Sequence, residues 1–147
     1  MEKVTFDSSS VQSYLTIIQS VINRMATNSS NCKTWCVTLL SEIIVIITNS
    51  DNPNYVWIAI VPVLLFFLLD SYYLSLERQF RDVYNKFIRK LHYGEATVED
   101  VFYLTPRTGA SATFFQFIKA TGSFSVWPFY ALLVVMLIVI RRWVLES

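Results

Sequence analysis

Glu42 stands in the middle of the run LLSEIIVII, the one carboxylate inside an otherwise apolar block. A charged side chain at the centre of a spanning helix costs about 2.5–3.5 kcal/mol on insertion scales, so such a residue is a functional candidate by default. Thr38 and Ser41 flank it on the same stretch. Two kinds of chemistry fit this trio. The carboxyl can be protonated or hydrogen-bonded and join helices together. Alternatively, one Glu42 from each subunit of an oligomer can form a carboxylate ring lining a cation-selective passage.

Other reactive residue types are few. The single histidine, His92, falls near an expected helix end, where a cap or a switch is more natural than a general base. Cys32 and Cys36 lie one turn apart on one helix face, and without further ligands they do not make a zinc site. They read as free thiols. Asn28-Ser29-Ser30 fits a glycosylation acceptor but falls on the side expected to face the cytoplasm. The sequence has no Gly-rich phosphate loop and no nucleophile–base pairing. No cofactor, no metal and no enzymatic activity are expected. A net charge of +1 supplies no global field for nucleic acid, so no direct nucleic-acid partner is expected either.

These residues must be positioned by helices. With three glycines and four prolines in 147 residues, long helices are favoured over turn-rich β structure. The apolar residues pile into three blocks: CVTLLSEIIVIIT (residues 36–48), YVWIAIVPVLLFFLL (55–69) and VWPFYALLVVMLIVI (126–140). Each is shorter than the roughly 20 residues of a standard span. However, each is apolar on all sides, unlike the surface helix of a small soluble protein. Aromatics of the interfacial kind mark their ends: Trp35, Tyr55, Trp57, Tyr72, Tyr73, Trp127 and Trp143. Membrane lipid is therefore an expected partner.

Cation counts set the orientation. Residues 1–33 carry three Lys or Arg and residues 70–126 carry seven, whereas the loop NSDNPN (49–54) carries none. The N-terminus and the central region are expected in the cytoplasm, with the short loop outside. If the third block spans, Arg141 and Arg142 land outside, against this bias.

The stretch FFLLDSYYLSLERQFRDVYNKFIRK (66–90) carries the second block out of the membrane without a Gly or Pro. Asn52 suits a helix cap and Pro53 a first turn. Pro62 removes a backbone donor, and a kink is expected there. Pro53–His92 is 40 residues, about 60 Å of helix at ~1.5 Å per residue, against a bilayer core of about 30 Å. About half of the helix must project beyond the membrane, with Asp70 at the exit. Beyond it, Phe80, Tyr84 and Phe87 lie on an apolar stripe that is expected to form an oligomer seam. Arg78, Arg81 and Arg89 are the expected surface for a cytoplasmic partner such as a sensor or effector protein. Glu77–Arg81 and Arg78–Asp82 are i,i+4 pairs. Val11–Ala26 reads as an amphipathic helix with the serines at 8–10 available as caps, and is one candidate to cover the stripe within the chain. Thr97 and Asp100 make a capping-box pattern. Ser111–Gly122 reads as a further short helix.

The exit stretch LLDSYYLSLERQFRDVYN (68–85), between a polar-looped hairpin and a C-terminal apolar helix with WPFY at its start, resembles the RipA family of octameric membrane proteins. The motif covers about 18 residues, and the layout covers most of the chain. The layout is also similar to the SLATT two-helix effectors of bacterial defence operons and to the pore-forming accessory membrane protein of RNA-targeting CRISPR systems. The Arg-x4–6-His pattern of HEPN ribonucleases is absent, since RKLHYG spaces Arg89 and His92 too closely. These resemblances imply a homo-oligomer of eight subunits in the bacterial inner membrane. The latter two groups imply an effector that permeabilises or depolarises that membrane during phage infection. The alternative is a non-conducting scaffold or envelope-maintenance protein that recruits a soluble partner.

The expected fold is therefore all-α. It is a transmembrane hairpin whose second helix continues into the cytoplasm, plus a C-terminal apolar helix, assembled as a homo-oligomeric ring. The expected divisions are an amphipathic N-terminal helix (1–31), the hairpin (32–70), a cytoplasmic helical region (71–122) and a C-terminal membrane helix (123–147).

Overall fold

A computed structural model describes residues 3–49, 53–104 and 110–142. They are predominantly helical and include no strand; the β-type contact among them is an isolated bridge between Lys3 and Thr97. The cap expected at Asn52 and the aromatic Trp143 lie outside the described residues.

Nothing between Ser9 and Thr48 can break a helix, because the run holds no Gly and no Pro. It forms one 40-residue helix, α1 (Ser9–Thr48). The amphipathic stretch and the first apolar block are thus a single rod, and residue 31 falls inside it. Ser8 holds the N-cap position with extended backbone, and its hydroxyl pairs with that of Ser10 at 2.7 Å.

A 3₁₀ segment, Pro53–Ala59, leads into α2 (Ile60–His92). The change in helix type falls two residues before Pro62, the position of the expected kink. Pro62 is the third residue of α2, where a missing N–H removes no intrahelical bond. Just past the end of α2 stands Gly94, whose φ of 66° suits a residue without Cβ. The Gly94 N–H donates to the Leu91 carbonyl at 3.1 Å and the Glu95 N–H to that of Lys90 at 2.9 Å, which closes the last turn as a Schellman motif.

Thr97 and Asp100 do form a capping box, on a three-residue 3₁₀ turn (Val98–Asp100). Helix α3 (Ala110–Thr121) and helix α4 (Trp127–Ile140) follow.

α1 and α2 are antiparallel: Tyr14 meets Phe87, Gln19 reaches Tyr84, and Ser29 reaches Asp70. α4 runs antiparallel to α2, with the Tyr130 hydroxyl donating to the Phe66 carbonyl at 3.1 Å and Arg141 donating to Asn54 Oδ1 at 3.3 Å. The Arg141 guanidinium also lies 5.2 Å from the centre of the Trp57 ring. α4 therefore reaches the loop end of the bundle, and Arg141 is partnered there.

Two apolar cores result. One gathers Cys36, Leu40, Val63, Tyr130, Leu133 and Leu137 at the loop end. The other gathers Val11, Tyr14, Ile18, Ile22, Phe87 and Leu91 at the far end. Between them lies a buried polar layer of Ser29, Asp70, Ser71, Ser75 and Gln79. Two helices are long and apolar enough to cross a membrane, α1 and Asn54–His92. Only 22% and 28% of their apolar windows are buried, whereas the core helix of a soluble bundle would be mostly covered.

Candidate functional site

The apolar half of α1 has two unlike faces. Cys36, Leu40 and Ile47 are buried against the rest of the bundle. Opposite them, Thr34, Thr38, Ser41, Val45 and Thr48 are all exposed. Their spacing alternates four and three, a mean of 3.5 residues, which keeps them in one line along a gently supercoiling helix. The same line begins earlier at Thr16, Ser20, Asn23, Thr27 and Ser30.

Glu42 is exposed on the flank of this line. The three residues expected to act together, Thr38, Ser41 and Glu42, therefore share the outward half of one helix. The hydroxyls are bonded back to their own helix: Thr38 Oγ1 donates to the Thr34 carbonyl at 3.0 Å and Ser41 Oγ to that of Val37 at 2.8 Å. This satisfies the hydroxyl protons without water and leaves oxygen lone pairs facing outward.

A second polar constellation lies deeper. Asp70 is 0% exposed. The Ser29 hydroxyl donates to its Oδ1, and Lys33 Nζ lies 2.5 Å from its Oδ2. The lysine contact is an ion pair without hydrogen-bond directionality. Tyr130 of α4 lies beside the same carboxylate. Three helices thus converge on one buried carboxylate and its partly exposed lysine where the apolar stretch of α2 ends. Sequence reading placed Asp70 only as an exit marker and Ser29 only in a glycosylation pattern. The available signal was Lys33 and Asp70, opposite charges at the same end of two adjacent apolar blocks.

The residues expected at an oligomer seam pack against α1 of the same chain. Phe87 is 4% exposed, with its ring edge-on to Tyr14 at 4.7 Å, and Phe80 and Tyr84 pack against the same cluster. α1 of the same chain, the intramolecular alternative, covers Phe87, while Phe80 and Tyr84 remain half-buried.

The expected arginine surface is also largely engaged within the chain. Arg78 Nη2 donates to Ser123 Oγ at 2.7 Å and so fixes the turn between α3 and α4. Arg81 pairs with Glu77 at 2.7 Å, while Arg89 is exposed.

Near the N-terminal half of α1, a cavity of about 120 Å³ is lined by Tyr14, Lys86, Phe87, Lys90, Asp100 and Tyr103, among others. Burial pushes the Tyr14 phenol above its ordinary pKa, and the Asp100 carboxylate adds to this. The phenol stays protonated and donates to the Tyr103 carbonyl at 2.6 Å. Burial raises the Asp100 pKa, but hydrogen bonds from Lys90 and Thr97 outweigh it, and the net shift is downward. Lys90 Nζ lies 2.6 Å from Asp100 Oδ1. Phe102, at φ 66°, holds this strap in a conformation that non-glycine residues rarely adopt.

Among the described residues, no three His, Cys, Asp or Glu side chains come together in a way that could hold a metal ion. Cys32 and Cys36 are buried free thiols. No protein-family model, no curated protein and no solved structure matches the chain.

Proposed function

We propose that the protein is an oligomeric membrane effector of antiviral defence. In this reading α1 and α2 cross the bacterial inner membrane as a hairpin, α4 packs as a third membrane helix, and the outward faces of α1 from several copies enclose a gated passage. The observation that carries this reading is the Thr34–Thr38–Ser41 line with Glu42 beside it. It faces away from α2 and α4, in a segment whose other outward residues, Val37, Val45 and Ile46, are apolar. Left in lipid, Glu42 would cost about 2.5–3.5 kcal/mol. Facing a water-filled axis it costs little and favours cations.

A seam of small hydroxyl residues at 3.5-residue spacing also lets helices approach closely. In this reading it, rather than the buried Phe87, is the main surface offered to a second copy. The antiviral setting and a count of eight subunits rest on the resemblance of residues 68–85 to the RipA family and on the layout shared with defence effectors. The trigger in this reading comes from a cytoplasmic sensor or phage component acting on the half of the molecule that holds Tyr14 and Phe87.

The test is ion flux from proteoliposomes. Glu42→Gln keeps size and hydrogen-bonding groups and is expected to lower cation selectivity or conductance with oligomer mass unchanged. Glu42→Leu is expected to remove the selectivity. Wild-type flux retained by both variants would take Glu42 out of the passage.

A further inference from the structure

Helix α3 has its faces reversed for a helix on a water-soluble surface. Thr113, Phe117 and Ala120 face inward: the first two line a cavity against α2, and Ala120 joins the loop-end core. Outward lie Phe114, Phe115 and Ile118, with Lys119 at the edge of the same face. Phe115 is 68% exposed, and Phe124, in the turn that follows, is 86% exposed. In water this cluster would be a large uncovered aromatic patch of the kind that marks an interaction site.

We propose that α3 is an in-plane interfacial helix whose outward Phe114, Phe115 and Ile118, together with Phe124, insert into the lipid leaflet at the Asp70 end of the bundle. This rests on the membrane-spanning reading of α1 and α2 and adds a second, lateral contact with the bilayer.

Position along α2 selects lipid as the occupant. The exposed leucines Leu64, Leu65, Leu68 and Leu69 end at Asp70. α3 crosses α2 over Tyr72–Gln79, where an open groove of about 380 Å³ between them is lined by Tyr72, Leu76 and Phe117, with the largely exposed Phe114 at its outer rim. From Leu69 to Leu76 the rise is about 10 Å at ~1.5 Å per residue. The headgroup zone is roughly 5–8 Å deep per leaflet, so α3 crosses near its outer boundary, within the 5–10 Å over which an interfacial helix sinks its apolar side chains.

The connection points the same way. Arg78 holds Ser123, and α4 begins at Trp127, itself exposed, so the chain returns along the bundle from this level. Trp127 and Tyr72 are also exposed, and they are aromatics of the kind that sit at a membrane interface. Lys119 separates lipid from a second copy as the cover. In a dry seam its ammonium would be buried, whereas at a headgroup surface its stem lies along the apolar face and its charge reaches the phosphates.

The test uses full-length protein in vesicles of phosphatidylcholine and phosphatidylglycerol, with Cys32 and Cys36 replaced by alanine and single spin labels introduced. Labels go at Phe115 and Ile118, with Leu65 as the lipid reference and Glu99 as the aqueous reference. Accessibility to oxygen and to a water-soluble nickel chelate is read at each site. The expected result is a several-fold higher oxygen-to-nickel ratio at 115 and 118 than at 99, approaching that at 65. Nickel-accessible labels at 115 and 118 with an oxygen-rich Leu65 would overturn the α3 proposal and leave the spans intact. Labels at 115 and 118 shielded from both reagents, with spin–spin broadening, would overturn lipid in favour of a second copy. A nickel-accessible Leu65 would overturn the spanning reading and the α3 proposal with it.

Discussion

Removing Lys33 should damage the protein more than removing the residue it neutralises. Asp70 is fully buried, whereas the Lys33 side chain is 23% exposed. Lys33→Met therefore strands a fully buried carboxylate with no cation beside it and only the Ser29 and Tyr130 hydroxyls as neighbours. Breaking a buried pair in this way costs about 3–5 kcal/mol. Asp70→Asn leaves Lys33 able to turn its ammonium toward water, and the amide can still accept from Ser29. Its cost is the lost charge assistance, about 1–3 kcal/mol. The double variant Lys33→Met with Asp70→Leu removes both charges and should fall well short of the sum, because the stranded charge is gone.

The assay is reversible unfolding in mixed micelles, followed by helical circular dichroism, with light scattering to hold oligomer mass constant. The order expected is wild type, then Asp70→Asn and the double variant, then Lys33→Met as the least stable. A Lys33→Met loss below about 1 kcal/mol, or one no larger than that of Asp70→Asn, would refute the reasoning. It would mean that water reaches Asp70.

Phe87→Ala should cost about 3–5 kcal/mol by leaving a cavity beside Tyr14, seen as earlier unfolding with no change in oligomer mass; dissociation without destabilisation would restore the stripe as an intersubunit seam. The strap at Asp100 should loosen in acid. Its pKa is depressed in the folded chain, so the stabilisation is fully present above the unfolded value and is lost as pH falls below about 4. Faster amide exchange at residues 97–101 below that pH, absent in Asp100→Asn, checks the sign. Gly94→Ala places a Cβ at φ 66°, where nothing lies within 4 Å to clash; the expected loss of about 1 kcal/mol is backbone strain alone, measured by the same unfolding assay. Arg78→Ala should free the turn at Ser123 and raise protease sensitivity between α3 and α4 while α1 and α2 stay intact.

The parts of the fold legible in the sequence were those set by local rules. Apolar blocks, the three- and four-residue steps beyond Asp70, the Thr97–Asp100 box and the stop at Gly122 all depend on neighbours a few positions away. The continuity of α1 was legible in the same way, since no Gly or Pro lies between Ser9 and Thr48, but the change from amphipathic to apolar character at residue 32 concealed it. Partnerships across the bundle were not legible. Phe87 could meet α1 of its own chain or of another, and periodicity shows the apolar face without showing what covers it. Lys33 and Asp70 are 37 positions apart, and only the antiparallel register of α1 and α2 brings them together.

The polar line on α1 was half legible. Glu42 stands out by its cost in lipid, while Thr34, Thr38, Ser41 and Thr48 each look ordinary in a membrane helix that can bond their hydroxyls to its own carbonyls. Only the buried face, fixed by Cys36, Leu40 and Ile47, shows that they all point the other way. The same logic exposes α3. Its sequence gives a short helix, and only the packing of Phe117 and Ala120 shows which face turns inward. What remains outside is Phe114, Phe115 and Ile118, which water does not favour and a lipid leaflet does.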